Sequence, residues 1–322
     1  MSTRLDRRDF LRVSGATALV GFGSSCAPAP EPPAAESAQP GSEQKFIAGY
    51  APFTDGTVES FWQVCDECSA LGFRYVETDN TRLKIVQAYE NRTSEFKDEM
   101  DKRGLTLLGL GQFTPFSDPA RRDEAFAQQL GVARFLQAVG GRYINAMFQP
   151  RPNSAVPREK LWDSISEEET KAFADTANEI GRQMREETGI RNGYHAEGEE
   201  CRIGLFRPIM EMTNPDYFDM LLDVGHMTRG GQDALAVAKT FRPRIIGCHF
   251  KDYDPDFEWE RDGRTGKGAF VELGRGIVDF PALTNFLKET DFDGFVMGEI
   301  DGRPKAAPIM HAYMVDTLGL TV

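Results

Sequence analysis

Short apolar runs recur along this chain, and each precedes a longer segment whose apolar positions have helical spacing. The runs are five to seven residues long, the length of a strand buried on both faces. They lie at residues 46–50, 73–77, 105–110, 143–147, 190–195, 217–223, 244–249 and 295–299. Predicted helices lie at 57–71, in the stretch that ends at 103, and at 121–139, 167–187, 206–212, 233–240, 280–289 and 306–318. Eight such units over ~275 residues predict an α/β fold, a (β/α)8 TIM barrel.

A doubly wound open sheet is the competing architecture for alternating strands and helices. Such a sheet usually carries a glycine-rich phosphate-binding turn after its first strand. Here the sequence GYAPF at 49–53 follows the first run and lacks that pattern. The closed barrel is therefore favoured, and its functional side chains are expected at the C-terminal ends of the strands.

The N-terminus has the three parts of an export signal. The sequence RRDFLR at 7–12 resembles the twin-arginine motif, and a mildly apolar stretch follows at 13–23. That stretch is too short to span a bilayer, which needs about 20 apolar residues. Residues 1–26 are therefore predicted to be a signal peptide that sends the protein through the twin-arginine machinery to the periplasm.

Cys26 closes this segment and resembles the acylated cysteine of a lipoprotein cleavage site, since it follows Gly23-Ser24-Ser25. Acylation would anchor the protein to the membrane, and cleavage without an anchor is the alternative. Residues 27–45 are rich in Pro, Ala, Glu and Ser and are predicted to be a disordered linker. The barrel domain is then expected to occupy residues 46–322.

Composition narrows the class of partner. The chain has 322 residues, of which 40% are hydrophobic and 27% are charged, as in ordinary globular domains. Its formal net charge is −13. Nucleic-acid binders need a basic face for phosphate groups, so a nucleic-acid partner is not expected. The charge favours neutral or cationic partners.

Four of the predicted strands end in a residue that can bind a metal ion. These residues are His195, Asp223, His249 and Glu299. Because the ends of successive barrel strands converge on one face, the four side chains are expected to meet there. Imidazole nitrogens with carboxylate oxygens suit one divalent ion, and Mn, Co, Mg, Fe and Zn are not distinguished.

Five segments within residues 46–320 together resemble the xylose isomerase-like barrels, the sugar phosphate isomerase/epimerase superfamily. They are GYH at 193–195, DVGH at 223–226, HFKD at 249–252, LGRGIVDF at 273–280 and GFVMGE at 294–299. The resemblance implies that the four strand-end residues hold one divalent metal, with His226 beside the substrate. Epimerases of this family commonly have Glu in place of His195. Members with His there include dehydratase-like and uncharacterised exported proteins.

The resemblance implies a divalent-metal-dependent isomerase or epimerase that acts on a sugar or keto-sugar. A carboxylate, Glu299 or Glu197, would remove the proton α to the carbonyl and produce an enediolate. Expulsion of a β-substituent from the same enediolate would instead give a lyase or dehydratase on a keto-sugar or inosose-like substrate. The two outcomes share their first steps, so the sequence hardly separates them.

Further polar side chains near the strand ends are candidates for binding the carbohydrate. His226 is expected to reach a substrate hydroxyl, and Lys251 to neutralise charge on the enediolate. Glu77, at the end of the second run, is expected to hydrogen-bond a sugar hydroxyl, and Arg275 to reach the substrate. A metal-binding histidine usually has a carboxylate that fixes its tautomer, and Asp252 is a candidate for that role beside His249.

Two other functions are compatible with parts of the sequence. Metal-assisted hydrolysis, as in related DNA-repair endonuclease barrels, would use several zinc ions and many more histidines. The four histidines and the charge of −13 disfavour it. A non-catalytic exported sugar-binding protein is the second alternative, and it predicts that metal removal leaves carbohydrate affinity intact.

Overall fold

Eight parallel strands form a closed barrel in the computed structural model of the protein. The structure describes residues 43–79, 84–153, 155–157, 160–261, 264–302 and 305–322. The strands are β1 (Ile47–Ala51), β2 (Tyr75–Asp79), β3 (Thr106–Thr114), β4 (Tyr143–Phe148), β5 (Arg191–His195), β6 (Asp219–Asp223), β7 (Ile245–Phe250), β8 (Asp252–Arg261), β9 (Arg264–Val271) and β10 (Phe295–Glu299). Strands β1 to β7 follow one another around the barrel, and β10 closes it between β7 and β1. The predicted (β/α)8 barrel is confirmed.

Helices connect the strands, with bounds close to those predicted from apolar spacing. Among the described residues they are α1 (Val58–Leu71), α2 (Ile85–Tyr89), α3 (Thr93–Lys102), α4 (Arg122–Val139), α5 (Glu167–Thr188), α6 (Gly198–Ile203), α7 (Phe206–Met212), α8 (Val224–Arg229), α9 (Ala234–Phe241), α10 (Phe280–Glu289) and α11 (Ala307–Ala312). Helix α5 shows the residues that typically begin and end a helix. The Ser166 hydroxyl accepts from the Glu169 backbone N–H, and the Glu169 carboxylate accepts from the Ser166 N–H. Gly189 ends the helix in a left-handed conformation.

Large apolar side chains fill the barrel interior below its C-terminal face. The rings of Tyr143 and Phe295 stack with their centroids 4.6 Å apart. Leu221, Ile246 and Met297 belong to the same buried cluster. Because side chains alternate along a strand, the inward residues two positions further on stand above this cluster. At that level the strands present polar side chains, so the apolar cluster forms the floor of the site.

An antiparallel hairpin of β8 and β9 interrupts the strand–helix alternation after β7. The sequence analysis did not predict this hairpin and expected a helix to follow every strand. Helix α10 still follows β7 after the hairpin, so the predicted alternation holds for the barrel and only the inserted hairpin was missed. The segment carries acidic and aromatic residues with six consecutive exposed positions at 255–260. Charged residues interrupt the aromatic ones along this segment, so it lacks the continuous apolar run by which buried strands are recognised.

The predictions for the N-terminus lie almost wholly outside the described residues. This applies to the signal peptide at 1–26, to acylation of Cys26 and to residues 27–42 of the linker predicted at 27–45. In the part of the chain that the structure describes, no helix is long and apolar enough to cross a membrane. Cys65 and Cys68, whose spacing also occurs in redox and zinc motifs, are unpaired and fully buried in the core.

Candidate metal centre and active-site pocket

The four strand-end residues predicted to bind a metal meet at the C-terminal face of the barrel. His195, Asp223, His249 and Glu299 each offer one ligand atom, and these atoms all lie within 4.8 Å of one another. The first three side chains are almost fully buried, whereas that of Glu299 is 19% exposed. The sequence analysis therefore placed four distant residues in one cluster correctly.

Strand register explains why these residues converge. Asp223 on β6 pairs with His249 on β7, and His249 pairs with Met297 on the other side. Glu299 stands two residues beyond Met297 on β10, so it points inward like Met297 but lies higher. His195 on β5 pairs with Met147 on β4. Each ligand is therefore at the inward position nearest the end of its strand.

The two carboxylate oxygens of Asp223 have different tasks. Oδ1 accepts a hydrogen bond of 2.7 Å from the backbone N–H of His226 and thereby caps helix α8. Oδ2 faces the cluster, 3.4 Å from His195 Nε2 and 3.6 Å from His249 Nδ1. The geometry therefore allows Asp223 to cap the helix and to be a metal ligand at once.

The donor set fits a divalent cation. Asp223 Oδ2, His249 Nδ1 and Glu299 Oε2 are buried, and no hydrogen bond satisfies them among the described residues. His249 Nδ1 and Glu299 Oε2 face each other at 2.6 Å, with angles that do not make a hydrogen bond. Unsatisfied buried acceptors are costly, and a shared cation would satisfy all three. The nitrogen and carboxylate donors are those preferred by first-row divalent metals.

Glu77 orients His249 from the opposite side of the barrel. Its Oε2 lies 3.0 Å from His249 Nε2. Tyr143 and Asn145, two inward residues of β4, donate hydrogen bonds to the Glu77 carboxylate. A proton on His249 Nε2 that points at Glu77 leaves the Nδ1 lone pair for a metal. Glu77 lines the pocket, but these contacts differ from the predicted one with a sugar hydroxyl.

Asp252, the sequence-based candidate for orienting His249, has another role. Its carboxylate accepts hydrogen bonds from the backbone N–H groups of Tyr253, Gly274, Gly276 and Val278. It thus ties the base of the hairpin to the segment before α10. The prediction was wrong because a carboxylate near in sequence was preferred over one that folding brings across the barrel.

Lys251 lies buried beside the candidate metal ligands. Its Nζ is 3.2 Å from Asp223 Oδ2, 3.1 Å from Glu299 Oε1 and 3.2 Å from Asp301 Oδ2. It also lies 3.3 Å from His226 Nε2. The ammonium group is therefore held by three carboxylates at the pocket wall. There it can balance negative charge that develops on a ligand.

Glu197 and His226 complete this side of the pocket. Glu197 Oε2 lies 3.8 Å from His226 Nε2, and the Glu197 side chain is 33% exposed. Glu197 thus faces the pocket without being a member of the metal cluster. The structure brings Glu197, His226 and Lys251 together as the sequence analysis expected.

Of the residues predicted to bind the substrate, Arg275 is the one that does not line the pocket. Its side chain is 64% exposed, and its Nη1 lies 3.6 Å from Glu272 Oε2. The glycine-rich segment around it turns towards solvent and does not line the cavity. The structure therefore gives no support to the predicted contact between Arg275 and the substrate.

Mutual electrostatics set the charge state of the cluster. Burial alone would raise the pKa values of Asp223 and Glu299, but the Lys251 ammonium holds both below their ordinary values. The same carboxylates raise the pKa of Lys251 against the effect of burial. Burial raises the pKa of Glu197 and lowers that of His226. Carboxylates and ammonium are thus fixed in their charged forms at the cavity base.

The cavity above the cluster has a volume of about 320 Å³ and two unlike sides. Histidines, the lysine and carboxylates from β5, β6, β7 and β10 form one side. Phe53, Phe113 and Met147, on or beyond β1, β3 and β4, line the other. The sequence analysis missed the aromatic side, because an aromatic residue near a strand end has no signal that separates it from core. Glu77, Asp79 and Asn145 stand among these apolar side chains, so both sides of the pocket carry polar groups, which suits a small polyhydroxylated ligand.

A closed (β/α)8 barrel with a histidine–carboxylate cluster at its C-terminal face defines a class of metal-binding TIM-barrel proteins. Residues 65–314 match the family model of the xylose isomerase-like TIM barrel. The chain belongs to this family, and the resemblance read from its motifs is confirmed.

Similar proteins in this family are sugar-processing enzymes. An inosose dehydratase from Lacticaseibacillus casei is 26% identical over 271 residues, which cover 80% of this chain and 88% of the relative. The structure of the IolI protein with a bound zinc atom has a TM-score of 0.63 at 16% identity and covers 85% of this chain and 98% of IolI. The 3-keto-D-glucoside 4-epimerase YcjR from E. coli gives 0.61 at 17% identity, covering 86% of this chain and all of YcjR.

Proposed function

We propose that the protein is a divalent-metal-dependent enzyme that removes the proton α to the carbonyl of a keto-sugar. The observation that carries the proposal is the position of Glu197, a pocket carboxylate next to the histidine–carboxylate cluster but not part of it. His195, Asp223, His249 and Glu299 would hold the metal, so Glu299 would be taken up as a ligand, and its Oε1 also lies 3.1 Å from Lys251 Nζ. Glu197 is therefore the better base of the two sequence candidates.

The metal, when bound, would polarise the carbonyl and stabilise the enediolate. Glu197 takes the α-proton, and the electron pair of that C–H bond moves towards the carbonyl oxygen. Lys251 balances the negative charge that develops there, because its ammonium group lies at the pocket wall. His226 is placed to contact a neighbouring hydroxyl, and the aromatic side holds the carbon face of the sugar.

Elimination is the outcome that we favour. The α-proton on Glu197 passes to the β-hydroxyl as the C–O bond breaks, a C=C bond forms and water leaves. A single carboxylate serves both steps, and His195 occupies the strand-five position where epimerases of the family commonly have Glu. The relatives named inosose dehydratases support the same outcome.

Isomerisation or epimerisation is the second candidate, because it shares the enediolate. The proton would then return at another carbon or from the opposite face. Asp79 lines the pocket at the end of β2, on the side opposite Glu197, and is placed to deliver it. The similarity to the keto-glucoside epimerase fold is compatible with this outcome.

Proton exchange tests the proposal. Metal-loaded protein is incubated in D2O with a 3-keto-glucoside, a ketohexose and an inosose, and NMR follows the α-proton. The wild type is expected to exchange it, and Glu197→Gln is expected to lower the rate at least about 100-fold with unchanged metal content. Glu199→Gln is the matched control, because the Glu199 side chain is half-buried, lies outside the pocket lining and pairs with Arg202.

The products then separate the two outcomes. Loss of water indicates elimination, and an inverted or rearranged sugar indicates epimerisation or isomerisation. Absence of exchange with every substrate, or equal rates for Glu197→Gln and the wild type, would contradict the proposal.

A further inference from the structure

Three aromatic rings lie in a row along one face of the β8–β9 hairpin. Tyr253 pairs with Phe270, and Trp259 pairs with Gly266 further out. Gly266, Gly268 and Phe270 alternate along β9, so they share this face. From position 266 to position 270 the strand extends about 13 Å. The row is therefore longer than a single pyranose ring.

Two glycines allow the rings to lie flat on the hairpin. A methyl group at Gly266 would overlap the indole of Trp259, and one at Gly268 would overlap the hydroxyl end of Tyr253. The Trp259 Nε1–H also donates a hydrogen bond of 3.2 Å to the Gly268 carbonyl. The indole thus rests on the backbone of β9, yet Trp259 is 38% exposed. A fixed aromatic face is left open to solvent.

The inner end of this row touches the active-site pocket. The Phe270 ring lies 4.8 Å from the His226 ring, and Lys251 Nζ lies 5.0 Å from its centroid. The Tyr253 and Phe270 rings are 5.9 Å apart. His226 and Lys251 line the cavity of the proposed site. The aromatic row therefore begins against two residues that line the pocket and extends to the outer part of the hairpin.

We infer that Trp259, Tyr253 and Phe270 form a binding site for additional sugar units of the substrate. Sugar rings present flat C–H faces that pack on aromatic rings, while their hydroxyls bond to flanking polar groups. The net charge of −13 favours a neutral occupant over an anionic one.

This inference rests on the proposed function for the identity of the sugar unit that reacts in the pocket. It states that the substrate is a glycoside of two or more neutral sugars, with the keto-sugar in the pocket and its partner on the hairpin. A solitary keto-sugar or inosose would fill the pocket but leave the aromatic row unused.

Calorimetry with the metal-loaded protein tests the site without requiring turnover. The probes are glucose, maltotriose and cellotriose, which share one sugar unit and differ in length and linkage. At least one trisaccharide is expected to bind about fivefold or more tightly than glucose. Trp259→Ala is expected to remove this advantage and to leave the glucose affinity unchanged, whereas Trp259→Phe retains part of it.

Lys267→Ala is the matched control. Lys267 pairs with Glu258 on the opposite face of the same hairpin, so this variant should bind the trisaccharide like the wild type. If Trp259→Ala damaged the hairpin as a whole, Phe270 would shift and this variant would also bind glucose more weakly. Weaker glucose binding by Trp259→Ala, or trisaccharides that bind the wild type no more tightly than glucose does, would overturn the inference.

Light scattering on the same samples tests whether a second copy of the chain, rather than a sugar, covers the aromatic row. A wild-type dimer that Trp259→Ala converts to a monomer would also overturn the inference. Failure of the proposed function appears differently, as absent proton exchange while trisaccharides still bind through Trp259.

Discussion

His249 Nε2 lies 3.0 Å from Glu77 Oε2, although the two residues are 172 positions apart in the chain. The contact spans the barrel from β7 to β2, and it fixes which ring nitrogen of His249 faces the candidate metal site. Tyr143 and Asn145 hold Glu77 in turn. The candidate metal site is thus supported by residues from strands that supply none of its candidate ligands.

Replacement of Glu77 by glutamine tests this support. The amide can still accept a hydrogen bond from His249, but it lacks the negative charge that strengthens the histidine as a ligand. We expect metal affinity to fall about 10- to 100-fold, measured by competition with a chelator. Glu90→Gln, an exposed residue after α2, serves as the control. Unchanged affinity in Glu77→Gln would show that His249 needs no anionic partner.

Two substitutions of Asp223 separate its role as a cap from its role as a ligand. Asparagine keeps an oxygen for the His226 N–H but loses the charge that faces the cluster, whereas alanine loses both. Metal binding is expected to be severely weakened in both variants. In chelator, Asp223→Ala should be less stable than Asp223→Asn by about 1 kcal/mol, the usual value of a helix cap. Urea unfolding measures the difference, and equal stabilities would contradict the capping role.

Glu200 is expected to make stability depend on pH. It is fully buried, accepts hydrogen bonds from the Tyr194 hydroxyl and the Glu197 N–H, and burial raises its pKa well above the ordinary value. The folded state therefore holds the proton more tightly than the unfolded chain. Stability is then highest below the ordinary pKa and falls as the pH rises towards the folded value.

Glu200→Gln removes this loss because glutamine imitates the protonated acid. Its amide can donate to Tyr194 while its carbonyl accepts from Glu197. The free energy of unfolding of Glu200→Gln, relative to that of the wild type, should therefore be at least about 1 kcal/mol higher at pH 8 than at pH 4. Urea titrations at both pH values measure the gain. If the stability of Glu200→Gln depended on pH in the same way as that of the control variant Glu199→Gln, the predicted effect of Glu200 would be contradicted.

Local patterns in the sequence predicted the barrel and four members of the cluster. Apolar runs of strand length and helical spacing between them are short-range properties, since each strand must bury both faces. His195, Asp223, His249 and Glu299 were found for the same reason: in a parallel barrel, a polar residue that ends a buried strand lies at a known face.

Only the tertiary structure decided which side chains act on one another. The pairing of His249 with Glu77 rather than Asp252, the exposure of Arg275 and the contact of Phe270 with His226 depend on how the barrel closes and where the hairpin folds back. Closure brings β2 within reach of β7, with β10 and β1 between them, and no periodicity within either strand encodes that distance. The sequence alone therefore determined the barrel and the residue types of the candidate metal ligands at its C-terminal face. The packing of distant strands determined which side chains contact those residues.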